Sequence, residues 1–127
     1  MSVKNPDLLP LFDQVKTLME PFAAAFDATV DEPGHYELYT REPVDIGRGP
    51  VRPFFFAGLT VQKHYLGFYF MPVYLYPALA ERIGPDLRPL LKGKSCFQLK
   101  RMSPELQAQI PEAIALGLEF YRQRGWL

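Results

Sequence analysis

The stretch Phe54 to Phe70, FFFAGLTVQKHYLGFYF, decides how this chain folds. Side chains of a β-strand point alternately to opposite faces, so the pattern to look for has a period of two. On the first arm Phe55, Ala57, Leu59 and Val61 fall on one face, and Phe54, Phe56, Gly58, Thr60 and Gln62 on the other. On the second arm Leu66, Phe68 and Phe70 share a face, with Tyr65, Gly67 and Tyr69 opposite. A two-residue turn at Lys63-His64 sets Val61 against Leu66, Leu59 against Phe68 and Ala57 against Phe70, every pair apolar. The second face then matches Gln62 with Tyr65, Thr60 with Gly67 and Gly58 with Tyr69. A three-residue turn would slip the register by one and mix the faces. The pattern therefore selects a β-hairpin with a turn of even length, in which His64 is tolerated because His enters left-handed backbone more readily than branched residues do.

Working outward, Pro53 lacks an N–H for a ladder and can only start a strand, which fixes where the hairpin begins. Residues 35–40 alternate, with Tyr36 and Leu38 on one side and His35, Glu37 and Tyr39 on the other. Asp31-Glu32-Pro33-Gly34 ahead of them is turn chemistry, and residues 28–30 are expected as a short strand. Asn5-Pro6-Asp7 opens a helix, with a capping side chain, a proline in the first turn and an acid near the positive end of the helix dipole. Leu8, Phe12, Val15, Leu18, Met19 and Phe22 form its apolar stripe. Pro21 predicts an end near Glu20, with one further turn through Phe26.

Residues 41–52 carry Pro and Gly clusters without periodicity and are expected as a loop. Downstream, a short helix is predicted over 73–83, closed by Gly84, then a helical turn over 85–91. A strand follows over 95–100, with Phe97 and Leu99 on one face and Cys96, Gln98 and Lys100 on the other. Ser103 and Pro111 each carry a helix-start signal, which predicts a short helix and then a longer one over 111–124. Strands and helices do not alternate regularly. The order predicts an α+β fold: a mostly antiparallel sheet of about four to five strands around the central hairpin, covered by N- and C-terminal helices.

At 127 residues the chain is expected to form one domain, residues 1–127, and its 48% apolar content suits a packed core. A formal net charge of zero argues against nucleic-acid binding, which calls for a basic excess. The charge is unevenly placed: residues 1–45 hold nine acids and three bases, residues 46–127 five acids and eleven bases. The single cysteine, Cys96, can form no internal disulfide, and MSVKNPDLLP lacks an apolar run of signal-peptide length. The longest uncharged run, residues 65–80, is shorter than a membrane span and is interrupted by Pro72 and Pro77. A cytoplasmic protein without a membrane partner is expected.

Several short pieces resemble the YdhG-like family, a domain of unknown function, over residues 8–126. They are Phe55-Phe56, Lys63-His64-Tyr65, Met71-Pro72-Val73-Tyr74, Gly93-Lys94-Ser95-Cys96-Phe97, and Tyr121-Arg122 followed by Gly125-Trp126. The piece ending at Phe97, in its strand context, is the most specific. Many members carry a Trp-Gly-x-Pro segment before the hairpin, which residues 40–53 lack here. Some relatives are described as frataxin-like iron chaperones, so the resemblance implies an iron-binding alternative. It supplies no catalytic residues.

Gly93-Lys94-Ser95 invites comparison with a phosphate-binding loop, but that loop needs a glycine where Arg88 stands and a helix where a strand follows. A thiolate at Cys96 would need a base and an electropositive setting, and no spacing brings His35 or His64 to it. Two His and one Cys match no transition-metal spacing. Acids on or after the first helix, above all Asp13 and Glu20 seven residues apart on one helix face, are those an iron chaperone would use. No catalytic residue, metal ligand or cofactor is assigned.

What remains is the second face of the sheet: Thr60, Gln62, Tyr65, Tyr69, Cys96 and Gln98, flattened by Gly58 and Gly67, with Tyr69 expected to cover Gly58. A face that meets only water usually carries long charged side chains. This one carries tyrosines, whose large rigid area and polar tip suit contact surfaces. The chain is expected to be a non-catalytic binding module that takes a second copy of itself or a small amphipathic ligand on these residues. The alternatives are a frataxin-like iron-binding chaperone acting through its N-terminal acids and a small thiol-dependent enzyme acting through Cys96.

Overall fold

The computed structural model describes residues 3–127; the leader reading of the first ten residues rests partly on Met1 and Ser2, which lie outside that range. Six strands, Phe26–Glu32 (β1), His35–Thr40 (β2), Phe55–Val61 (β3), Leu66–Phe70 (β4), Leu91–Lys92 (β5) and Cys96–Leu99 (β6), form one antiparallel sheet in the order β1-β2-β3-β4-β6-β5. Helices Leu9–Met19 (α1), Met71–Leu75 (α2) and Pro104–Gln123 (α3) complete an α+β architecture. The sheet has six strands where four to five were expected. The extra one, β5, replaces the end of a predicted helical turn. It is only two residues long, too short to show a period, and returns into β6 through Gly93 at φ 72°.

The central hairpin has the register its apolar pattern dictates, with Ala57 opposite Phe70, Leu59 opposite Phe68 and Val61 opposite Leu66. The Gln62 N–H donates to the Tyr65 carbonyl at 2.8 Å, which leaves Lys63-His64 as the turn. His64 does not use left-handed backbone there: among the described residues only glycines have positive φ.

The first arm departs from strict alternation. Leu38 of β2 pairs with Ala57, but Tyr39 pairs with Phe55, so Phe56 is an extra residue in β3. A bulge of this kind puts two neighbouring side chains on one face. Phe56 therefore joins Ala57 in the core, and Phe55, expected in the core, lies on the opposite face. Phe56 is fully buried, stacked on Phe26 with ring centroids 4.3 Å apart and edge-on to Tyr121 at 5.0 Å. Phe54 also turns to the helix side, against Tyr121 and Trp126. The buried Tyr121 hydroxyl donates to the Phe55 carbonyl at 2.6 Å, tying α3 to the bulge.

All three helices lie on the face that carries Leu59 and Phe68, with α1 against α3 and β3, and α2 against α3 and β3. The α1 stripe buries Leu11, Phe12, Val15 and Met19. The predicted further helical turn after it is a short 3-10 stretch, Glu20–Ala25, and the chain enters β1 already at Phe26. Helix α3 is one helix rather than two. Ser103 caps it through the Leu106 N–H at 3.1 Å, and Pro111 sits inside it. An interior proline costs about 3 kcal/mol, which the full burial of Ile110 and Ile114 on either side offsets at about 1.5–3 kcal/mol each. Gly117 lets α3 approach closely, since a Cβ there would collide with Phe70 and Pro72.

Residues 41–53 form the expected loop. Fully buried Thr40 closes its base, accepting from the Phe54 N–H at 2.8 Å and donating to the Glu42 carbonyl at 2.9 Å. Among the described residues, no helix is long and apolar enough to cross a membrane.

The bulge predicts opposite outcomes for two adjacent phenylalanines. Phe56→Ala should destabilise the fold by about 3–5 kcal/mol, the usual range for a fully buried ring. Phe55→Ala should lose only about 1–2 kcal/mol, because part of its ring stays in water. Urea unfolding of the two variants checks this, and equal losses would contradict the register.

Candidate functional site: the open face of the sheet

Among the described residues, no element covers the face opposite the helices. Cross-strand pairing arranges it in rows. The upper row runs from Glu32 through His35, Thr60 and Gly67 to Gln98, and the middle row from Val30 through Glu37, Gly58, Tyr69 and Cys96 to Lys92. Tyr39 and Phe55 stand side by side below, ring centroids 5.4 Å apart and edge-on. Thr60, Gln62, Tyr65, Tyr69, Cys96 and Gln98 all lie on this face and are all half-buried.

The two glycines are set by close approach. A Cβ on Gly58 would stand 2.8 Å from the Tyr36 carbonyl oxygen and 3.2 Å from the Phe55 ring. One on Gly67 would stand 2.7 Å from the Tyr69 ring. Tyr69 thus covers Gly67, two residues back on its own strand, whereas the expected cover of Gly58 by Tyr69 is made by Phe55. Tyr69 is pinned in that pose by Gln62, whose side-chain N–H donates to the phenol oxygen at 3.1 Å. Gln62 is in turn held by Lys4, which donates to its amide oxygen at 3.0 Å.

Between Phe55 and Tyr69 the sheet holds a pocket of about 380 Å³. Tyr39, Phe55 and Tyr69 wall it, Gly58 forms its floor, and Glu37 and Thr60 edge it above. Met71 and Ser95, at the strand ends, close the lower rim. Glu37 accepts a 2.7 Å hydrogen bond from His35 Nε2. Burial raises the Tyr39 phenol above its ordinary value, and the neighbouring Glu37 carboxylate adds to the rise through its charge and a hydrogen bond. Burial likewise raises the Tyr69 phenol, against the Gln62 hydrogen bond that lowers it.

Of the six residues singled out from the sequence, Thr60 and Tyr69 line the pocket. Gln62 orients Tyr69, Cys96 and Gln98 flank the pocket on β6, and Tyr65 lies at the hairpin end. Sequence reading missed Glu37, Tyr39, Phe55, Met71 and Ser95. The alternation in β2 already put Glu37 and Tyr39 on one side, but nothing in it shows that this side joins the Thr60 face. Two larger concavities lie elsewhere, one of about 410 Å³ near Val73, Tyr74 and Leu91 and a more open one of about 630 Å³ between Gln14 and Ser103. The charged walls of the first are exposed Arg48 and Lys94, and Lys94 lies 5.9 Å from the Tyr74 ring centre.

The N-terminal acids are dispersed. Asp13 and Glu20 are exposed, and Glu20 has left the α-helix. Asp31 is paired with Lys16 at 2.6 Å and Asp27 with Arg41 at 3.7 Å. Among the described residues, no three His, Cys, Asp or Glu side chains gather as metal ligands. Comparison of the chain with family models, curated proteins and solved structures gave no match.

Burial raises the Cys96 thiol above its ordinary value, with a Tyr69 hydrogen bond acting the other way. A raised thiol carries less thiolate at neutral pH and is a poorer nucleophile. The folded state favours the protonated thiol, so this contribution to stability is present below the unfolded pKa and is lost as pH rises through the folded one. Alkylation of Cys96 by iodoacetamide should be slower in the folded protein than in denaturant, with its midpoint in pH higher folded than unfolded. Rapid alkylation at neutral pH would contradict this.

Proposed function

We propose that the chain is a non-catalytic binding module whose open sheet face takes a small amphipathic ligand in the pocket between Phe55 and Tyr69. The observation that carries this reading is the pocket itself: aromatic walls and convergent polar groups on a face that, among the described residues, no other element covers. Its volume of about 380 Å³ falls within the range of roughly 300–1,000 Å³ typical of small-molecule sites. The rings offer apolar area, while Glu37, Thr60 and Ser95 offer hydrogen-bonding groups to orient a polar end.

Several features favour a ligand over the alternatives. The edges of the sheet discourage strand-to-strand pairing with a second copy, which leaves the face as the surface a copy could use: β5 is two residues long, and β1 carries a bulge and exposed Asp27, Asp31 and Glu32. The raised thiol at Cys96 disfavours a thiol enzyme, and the dispersed, partly paired acids disfavour iron handling. The resemblance to the YdhG-like family fits this reading, because the segments that carry it include the hairpin and the turn into β6 that build the pocket. The single cysteine and balanced charge fit a cytoplasmic setting.

Amide chemical shifts recorded against a set of small amphiphiles test the proposal. Binders should shift Tyr39, Phe55, Gly58, Thr60 and Tyr69 together, and Tyr69→Lys should abolish the response. Shifts confined to the concavity near Tyr74, or none with any amphiphile, would overturn it. A concentration-dependent dimer in sedimentation that Tyr69→Lys dissociates would assign the face to a second copy instead.

A further inference from the structure

We infer that the ligand of this pocket is a small organic cation, an ammonium head carried on a compact apolar body. The inference rests on the binding-module reading and narrows it to one class of ligand.

Three properties of the site point the same way. Among the described residues, its lining contains one carboxylate, Glu37, and no Lys, Arg or His. An anionic ligand would meet that carboxylate with no lining cation to receive it, and a neutral one would leave its charge unused. Three of the eight lining residues are aromatic, Tyr39, Phe55 and Tyr69. Aromatic faces carry negative potential and attract cations placed within about 6 Å, most strongly where water is excluded. Finally, among the described residues no Lys or Arg lies within ion-pair distance of Glu37, whose contact is the His35 ring at 2.7 Å.

Arg52, which does not line the pocket, is the cation whose charge acts on the Tyr39 phenol. At the Tyr39 phenol the Glu37 charge outweighs that of Arg52, which has the smallest influence of those acting there. Arg52 is exposed to solvent on the loop, whereas Glu37 is half-buried at the pocket edge. Of the two, Glu37 is the one that lines the pocket.

A matched set of three probes of nearly equal shape tests the inference: choline as the cation, 3,3-dimethylbutan-1-ol as the uncharged counterpart and 3,3-dimethylbutanoate as the anion. Titrations followed by amide shifts of Tyr39, Phe55, Gly58 and Tyr69 should rank them cation, alcohol, anion. The cation should bind roughly tenfold more tightly than the alcohol, the size of one carboxylate and cation–π contribution together. Glu37→Gln should narrow that gap, leaving the part due to the rings, with dispersed amide spectra showing that the fold is kept. Equal or tighter binding of the alcohol or the anion at these residues would overturn the cation assignment while leaving the binding pocket in place. If none of the three probes shifts these residues, the cation assignment is overturned as well, and the pocket falls with it only if the wider set of amphiphiles also fails.

Discussion

One extra residue in β3 lets a single strand build two surfaces. Where the ladder slips between Leu38 and Tyr39, Phe56 turns to the helices and Phe55 to the open face. The core depends on the first ring: Phe56 meets Phe26, Phe70 and Tyr121, pairs worth about 0.5–1.5 kcal/mol each beyond the area they bury. The pocket depends on the second, which stands beside Tyr39 and lies against Gly58. The Tyr121 hydroxyl, bonded to the Phe55 carbonyl at 2.6 Å, fastens the bulge from the core side. Burial raises the Tyr121 phenol strongly, so it remains a protonated donor.

The same arrangement explains why the sheet is covered on one side only. The two terminal helices and the short helix after β4 meet on one face and bury its apolar side chains together. The opposite face carries glycines at the points where the Phe55 and Tyr69 rings lie flat, so it is shallow and aromatic rather than bristling with charge. The uneven charge of the sequence becomes a gradient across this sheet. Four of the nine acids of residues 1–45, Asp27, Asp31, Glu32 and Glu37, fall on β1 and β2, while Lys92 and Lys100 lie on or beside β5 and β6 at the other flank. The pocket sits toward the acidic flank, which is why a carboxylate edges it.

Much of the fold was legible in the chain because burial imposes a period. The hairpin register followed from apolar pairing, and the helix stripes from spacings of three and four. What did not follow were features that break a period or leave none. The bulge at Phe56 reverses the faces of the phenylalanines on its N-terminal side, and nothing local marks it, since Phe54, Phe55 and Phe56 are the same residue. Strand β5 is too short to alternate. Pro111 reads as a helix boundary, and only the burial of Ile110 and Ile114 carries α3 through it. The candidate face was legible at Thr60, Tyr69 and their neighbours, because tyrosines and glycines there replace the charges of a wet surface. Glu37 and Tyr39 were not assigned to it, because their place depends on β2 pairing with β3, a contact between distant parts of the chain.

The division of Phe55 and Phe56 between pocket and core is the central claim, and nuclear Overhauser contacts of their ring protons test it most directly. The account predicts contacts from the Phe56 ring to the rings of Phe26 and Tyr121, and from the Phe55 ring to Gly58 Hα and the Tyr39 ring. Contacts from Phe55 to Phe68 or Phe70, with Phe56 near Gly58, would mean that the strand alternates without a bulge and would contradict both the core and the pocket.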